Sequence, residues 1–153
     1  MRRTATILAV VVLMVVSSSG VALAAYEVSI PGTDDTDIIS GTEKSEHISG
    51  LDGDDRLNGG DGDDLIEGGL SSDELGDGSG RDIVNGNDGA DNLIGQGGDT
   101  SADRFYADSG RDTIQSRDVP AVKDTVECGA GTDTVYADKA DVVAEDCEEV
   151  RAW

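Results

Sequence analysis

Acidic side chains recur every nine residues along most of this 153-residue chain, most of them at the end of a glycine-rich turn. The clearest unit, residues 59–67, reads Gly-Gly-Asp-Gly-Asp-Asp-Leu-Ile-Glu and gives the pattern G-G-x-G-x-D-x-U-x, where U is apolar. The acidic sixth position falls on Asp37, Glu46, Asp55, Asp64, Asp73, Asp82, Asp91, Asp103, Asp112, Asp124, Asp133 and Asp141. Carboxylates and the carbonyls of glycine turns are hard oxygen ligands, so the chemistry indicated is binding of a hard cation.

Calcium suits such turns best. It accepts six to eight oxygens, backbone carbonyls included, at loose geometry, whereas magnesium demands a tight octahedron and keeps its waters. Zinc would need nitrogen or sulfur ligands, and the chain has one histidine, His47, and two cysteines. His47 lies at the seventh position, which should face outward, so we expect no ligand or catalytic role for it.

The spacing also predicts the elements that hold these carboxylates. The apolar eighth position falls on Ile39, Ile48, Leu57, Ile66, Leu75, Val84, Leu93, Phe105, Ile114, Val126, Val135 and Val143. About three residues around each should form a short strand with one aliphatic side chain pointing inward, and the glycines allow positive φ in the turn between strands. Two units then make one coil, and about six coils stack at about 4.8 Å. Short insertions before Asp103 and Asp124 should be surface loops.

Since alternate units lie above one another, the sixth-position acids should form two ladders on opposite edges. The first ladder is Asp37, Asp55, Asp73, Asp91, Asp112 and Asp133, and the second ladder is Glu46, Asp64, Asp82, Asp103, Asp124 and Asp141. Carboxylates stacked at about 5 Å repel one another unless a cation lies between them. The arrangement therefore favours calcium between successive turns.

This nonapeptide resembles the haemolysin-type, repeats-in-toxin (RTX) calcium-binding family, over residues 32–143. The resemblance implies an all-β, right-handed parallel β-roll in which each ion lies between a turn and the turn one coil later. The metal-binding residues implied are Gly50, Asp52, Gly53, Asp55, Gly59, Gly60, Asp61, Gly62, Asp64, Asp73, Asp77, Gly78, Gly80, Asp82, Gly86, Asp88, Gly89, Asp91, Asp103, Gly110, Asp112, Gly131 and Asp133.

Several units depart from the pattern. Asp35 and Lys44 replace the fourth glycine in the two N-terminal turns, and Lys44 could neutralise Glu46 without metal. The turn before Asp73 also lacks the fourth glycine, and the units around Asp124 and Asp141 have no glycine turn. We expect these last two to be structural coils.

The first residues of the chain predict that it leaves the cytoplasm. Residues 1–24 combine a basic start, an apolar run and a small-residue ending, which is typical of a secretory signal peptide. Residues 25–31 would be a lead-in, 32–144 the roll and 145–153 a C-terminal cap. The net charge of −22 argues against a nucleic-acid partner, and no later apolar run is long enough to span a membrane.

Cys128 and Cys147 are an even number of cysteines in an exported chain, which favours a disulfide. Their spacing of nineteen is close to one coil, so their Cα atoms should lie within the range that a disulfide needs. The bridge would close the C-terminal end of the roll.

The favoured hypothesis is a secreted, non-enzymatic protein that calcium folds and that associates with a cell surface or matrix. An enzyme is disfavoured because the chain has neither G-x-S-x-G nor H-E-x-x-H. A metal-poor solenoid acting as an extracellular adhesin or recognition surface is the alternative, on the strength of the degenerate turns.

Overall fold

The fold is built from short parallel strands. The computed structural model describes residues 28–96 and 100–152, and no helix occurs in those ranges. The predicted signal peptide lies outside the described residues. The strands are β1 (Val28–Pro31), β2 (Ile38–Ser40), β3 (Glu46–Asp52), β4 (Arg56–Asn58), β5 (Leu65–Leu70), β6 (Glu74–Gly76), β7 (Ile83–Gly89), β8 (Asn92–Ile94), β9 (Arg104–Tyr106), β10 (Ser109–Gly110), β11 (Thr113–Gln115), β12 (Thr125–Glu127), β13 (Ala130–Gly131), β14 (Thr134–Ala137), β15 (Val142–Val143) and β16 (Glu149–Ala152).

Successive strands alternate between two parallel sheets. One sheet runs β1-β3-β5-β7-β9-β12-β15 with β10 and β13 attached, and the other runs β2-β4-β6-β8-β11-β14-β16. Each strand residue pairs with the equivalent residue one coil later, so Ile48 pairs with Ile66, and Ile66 with Val84. This confirms a β-solenoid of the β-roll kind.

The roll has about seven turns, where the repeats alone predict about six. The additional strands are at the ends. β1 pairs with β3, and β16 pairs with β14. Both pair through backbone hydrogen bonds and need no glycine-aspartate pattern, so the nine-residue period does not reveal them.

The core is a double row of apolar side chains, one from each strand that carries an eighth-position residue. All the predicted eighth-position residues are buried except Val143, which is half-buried. Ile30, Ala107, Cys128 and Ala137 extend the rows. Two such side chains in each coil make a thin core, and a thin core offsets little of the entropy lost when the coil is ordered.

Cys128 and Cys147 form the predicted disulfide, with their Cα atoms 5.2 Å apart. Cys128 belongs to the core after β12, whereas Cys147 precedes β16. The bridge therefore ties the last coil to the coil beneath it. Among the described residues, no helix is long and apolar enough to cross a membrane.

Candidate metal-binding turns

The predicted acids do form two stacked ladders, held by their own backbones. In the first ladder, each aspartate N–H donates to Oδ1 of the aspartate one coil later. The five bonds run from Asp37 to Asp55 (2.7 Å), Asp55 to Asp73 (2.8 Å), Asp73 to Asp91 (2.8 Å), Asp91 to Asp112 (2.8 Å) and Asp112 to Asp133 (2.8 Å). One carboxylate oxygen of each rung is thus committed to joining coils.

The second ladder repeats this geometry on the opposite edge. Its bonds run from Glu46 to Asp64 (2.7 Å), Asp64 to Asp82 (2.7 Å), Asp82 to Asp103 (2.9 Å), Asp103 to Asp124 (2.9 Å) and Asp124 to Asp141 (3.1 Å). At the end of the first ladder, Asp133 N–H donates to Glu148 Oε2 at 3.0 Å. Glu148 lies fifteen residues after Asp133, outside the repeat spacing, so the sequence pattern missed it.

The second carboxylate oxygen is buried and unpaired in most rungs. Oδ2 has no hydrogen-bond partner in Asp55, Asp64, Asp73, Asp82, Asp91, Asp112 and Asp133. A buried anionic oxygen without a partner is costly, and its usual compensation is a counter-charge or a metal ion. Seven such oxygens in two rows indicate that the turns are built around cations.

These oxygens face the first residue of their own turn, beside backbone carbonyls. A Cβ placed on Gly68 would lie 2.5 Å from Asp73 Oδ2 and 2.8 Å from the carbonyl oxygen of Gly86, one coil later. A Cβ on Gly86 would lie 2.7 Å from both Asp91 Oδ2 and the Ala107 carbonyl oxygen. Carboxylate and carbonyl oxygens from adjacent coils therefore converge on one space, which is the donor set that calcium accepts.

Side chains alone would not complete a site. Within the described ranges, no group of three histidine, cysteine or acidic side chains is placed to hold a metal ion. The third-position aspartates Asp52, Asp61 and Asp88 are exposed and lie outside the two ladders. The oxygens that remain are the ladder carboxylates and the turn carbonyls.

The fourth-position glycines permit the close stacking of turns. Gly80 has φ 133° and stacks directly on Gly62, and a Cβ on Gly80 would collide with the Gly62 carbonyl. A side chain at that position would be strained and would also separate the two turns.

Burial changes the acidity of the ladders. Burial raises the pKa of Asp55, Asp64, Asp73 and Asp112 to about 6, that of Asp91 to about 7 and that of Asp82 to about 8. The backbone N–H bonds oppose the rise, and the neighbouring carboxylates of each ladder add to it. In the calcium-free protein, protons therefore compete for the oxygens that a cation would bind.

In the two N-terminal turns a threonine donates to the carboxylate, although Asp37 Oδ1 stays buried and unpaired. Thr33 donates from its backbone N–H (2.6 Å) and its hydroxyl (2.9 Å) to Asp37 Oδ2. Thr42 donates from its N–H to Glu46 Oε2 (3.0 Å) and from its hydroxyl to Glu46 Oε1. Sequence reasoning named Lys44 as the neutralising residue and missed the threonines, although a threonine in place of the second glycine was the visible signal.

Asp77 and Asp118 are carboxylates that do not follow the ladder pattern. Asp77 stands in place of the first glycine of its turn, and its Oδ1 accepts N–H groups from Gly78 (2.5 Å) and Gln96 (2.8 Å). Asp118, from the second insertion, is buried and its side chain hydrogen-bonds Asp124. Burial raises the pKa of Asp118 to about 6 and that of Asp124 to about 7. Sequence reasoning missed Asp118 because insertions carry no period.

The rungs after Asp103 are internally bonded. The Asp141 carboxylate accepts hydrogen bonds from the Ser116 hydroxyl (2.9 Å), from Asp138 N–H (2.9 Å) and from Asp124 N–H. Its oxygens already have donors from the protein itself. These contacts fit a structural role for this part of the second ladder.

Stacked glycine turns with buried carboxylate rungs on a parallel solenoid define a calcium-binding β-roll. The sequence model of the RTX calcium-binding nonapeptide repeat matches four overlapping stretches, residues 31–66, 40–75, 68–101 and 76–114. The chain therefore belongs to the RTX calcium-binding nonapeptide repeat family, and calcium is the metal that its turns bind. No curated protein and no solved structure matches the chain significantly.

Proposed function

We propose that this chain is a secreted, non-enzymatic protein whose roll is folded and stabilised by calcium bound in its central turns. The observation that carries the proposal is the row of buried, unpaired Oδ2 atoms. Their charge and burial oppose folding of the metal-free chain, whereas the thin core supplies little to offset that cost. Calcium supplies the missing positive charge and binds the turn carbonyls at the same time.

The proposed ligands are the oxygens of stacked turns in the middle of the roll. On the second ladder they come from residues 59–64 and 77–82. On the first ladder they come from residues 50–55, 68–73, 86–91 and 108–112, and residues 129–133 add the last rung. The turn that ends at Glu46 is excluded because Thr42 already donates to both carboxylate oxygens. The turn that ends at Asp37 is also left out, because Thr33 donates twice to Oδ2 and only Oδ1 stays unpaired.

Secretion and the lack of catalysis rest on separate support. A disulfide is typical of proteins that reach an oxidising compartment, which agrees with the predicted signal peptide. The ladder carboxylates are aligned in stacked rungs that hold coils together. His47 lies on the outer face, where its Nε2 contacts Glu67 Oε2 at 2.6 Å. That contact is a surface pair of the sheet and needs no substrate to explain it.

Circular dichroism of the mature chain with calcium and with chelator tests the proposal. We expect the β-signal to appear with calcium and to disappear in chelator, with site affinities of roughly 10⁻⁴ to 10⁻³ M, as in extracellular modules. Magnesium at the same concentration is the control, and it should not restore the signal. A folded spectrum that is identical in excess chelator would contradict the proposal.

A further inference from the structure

A concave surface lies along the corner of the roll, on the outer side of the first-ladder turns. It encloses about 670 Å³ and runs across β3, β5 and β7. We call this surface the corner groove, and the residues that matter are Leu51, Leu70, Asp34, Asp52, Glu67 and Asp88. It combines two apolar side chains with a rim of carboxylates.

The two leucines lie on either side of a glycine. Leu51 pairs with Gly69 in the register of β3 and β5, and Asp52 pairs with Leu70. Gly69 has no side chain, so the floor between the leucines stays open. Leu51 is 44 % exposed and Leu70 is 48 % exposed, which places an apolar pair at the surface of a chain with net charge −22.

Leu51 is also strained. Its φ is 84°, in the left-handed region, where a residue with a side chain is disfavoured relative to glycine. The equivalent residue one coil later, Gly69, has φ 122° and carries no such penalty. An exposed and strained leucine contributes little to the stability of the roll, and an exposed apolar group rimmed by charges is typical of a binding surface.

We propose that the corner groove binds a cationic, amphipathic peptide segment of a protein partner. Apolar side chains, or the aliphatic stems of lysine and arginine, would pack between Leu51 and Leu70. Their positive groups would meet the exposed carboxylates of Asp34, Asp52 and Asp88. The same rim repels anionic ligands such as nucleic acid.

Calcium should leave this surface charged. The unpaired Oδ2 atoms of Asp55, Asp73 and Asp91 are buried inside the turns, whereas the rim carboxylates point outward. The calcium-loaded protein would therefore keep the groove's charge and apolar pair together. The proposal depends on the folded roll and not on which turns hold ions.

Fluorescence anisotropy of calcium-loaded protein with two labelled octapeptides tests this proposal. One probe alternates lysine and leucine, and the other alternates lysine and serine at the same charge. At about 0.15 M salt, which screens exposed charges beyond about 8 Å, we expect the lysine-leucine probe to bind at least about tenfold more tightly, since the leucines bury apolar area.

Three variants localise the binding. Leu51→Gly and Leu70→Ser change side chains in turns whose backbone carbonyls are proposed ligands, so each variant is compared at the calcium concentration that saturates its own β-signal. Each should weaken the lysine-leucine probe by about fivefold or more. Ile38→Ser removes a side chain that is 70 % exposed on the other sheet and should change nothing. Equal affinity for the two probes, or equal losses in Leu70→Ser and Ile38→Ser, would overturn the proposal. Circular dichroism of each variant in saturating calcium shows whether the roll is folded, which separates that failure from failure of the calcium sites.

Discussion

Replacing Asp64 by asparagine separates the two tasks of a ladder carboxylate. Asp64 Oδ1 accepts the Glu46 N–H at 2.7 Å, and an asparagine Oδ1 can keep that bond. The amide removes the charge from Oδ2, which is buried and unpaired. The coil contact should therefore survive while one calcium ligand is lost.

The structure gives the size and the sign of the effect without calcium. Burial raises the pKa of Asp64 from 3.8 to about 6, which is at most about 3 kcal/mol of unfavourable charge at neutral pH. The turn lies near solvent, so screening reduces this to about 1–2 kcal/mol. Asp64→Asn should stabilise the roll by that amount where calcium is scarce.

Calcium reverses which of the two proteins, wild type or Asp64→Asn, is the more stable. Each bound ion adds RT ln(1 + [Ca]/Kd), so losing one ion lowers the slope of unfolding free energy by about 1.4 kcal/mol per tenfold calcium. Urea unfolding of both proteins at several calcium concentrations measures the two slopes. The curves should cross, with the variant less stable at high calcium.

Glu46→Gln is the matched control on the same ladder. Thr42 already donates to both oxygens of Glu46, so this variant should keep the wild-type slope. Equal slopes in wild type and Asp64→Asn, or an equal loss of slope in Glu46→Gln, would refute the assignment of the unpaired oxygens to calcium.

Three further perturbations act on other parts of the roll. The folded-state pKa values of the ladder aspartates are raised to about 6–8, so the calcium-free roll should gain stability as pH falls from about 8 towards 4. The apparent calcium affinity should fall through the same pH window. Calorimetry showing constant calcium affinity between pH 8 and 6 would contradict this. The Cys128→Ala/Cys147→Ala double variant opens a loop spanning 19 residues and should lose about 3 kcal/mol of unfolding free energy, measured with urea at saturating calcium. An unchanged urea midpoint would show that the bridge adds nothing to stability. Gly80→Ala should lower the unfolding free energy by about 2 kcal/mol or more in the same assay, because Gly80 has a φ of 133° and its added Cβ would collide with the Gly62 carbonyl. In the control Gly76→Ala the nearest contact of the added Cβ is the flexible Asn58 side chain, so the loss should be smaller. Equal losses would argue against stacked turns.

The nine-residue period predicted the parts of the molecule that repeat. It placed Ile48, Ile66 and Val84 in one core row because residues two repeats apart pair with each other on adjacent coils. It also placed Asp64 above Glu46, since residues two units apart must stack. Both results follow from translational symmetry along the roll.

The period could not predict contacts that symmetry does not impose. Thr33 and Thr42 satisfy carboxylates through hydroxyl positions that depend on side-chain rotamers. Asp118 reaches Asp124 from an insertion, and Glu148 continues a ladder at irregular spacing. β16 pairs with β14 after the repeats have ended, and Arg151 of β16 donates to the Tyr136 hydroxyl. Each case depends on local geometry, which is absent from a repeat pattern.

The ladder geometry explains why folding and calcium binding should be inseparable in the middle of the roll. In a solenoid each coil is stabilised mainly by its neighbours, so a change at one interface spreads along the stack. One oxygen of Asp64 joins two coils, and the other needs a cation. Binding at the second oxygen therefore fixes the carboxylate that the first oxygen uses.

The N-terminal coil escapes this dependence. Thr33 and Thr42 supply hydrogen-bond donors where the central turns need an ion, yet Asp37 and Glu46 still donate their N–H groups to the next coil at 2.7 Å. A coil whose Asp37 and Glu46 carboxylates accept hydrogen bonds from threonines is thus bonded directly to the first coil whose Oδ2 atoms have no donor. Since ordering one coil lowers the entropy cost of ordering its neighbour, calcium dependence should increase from this end of the roll towards its centre.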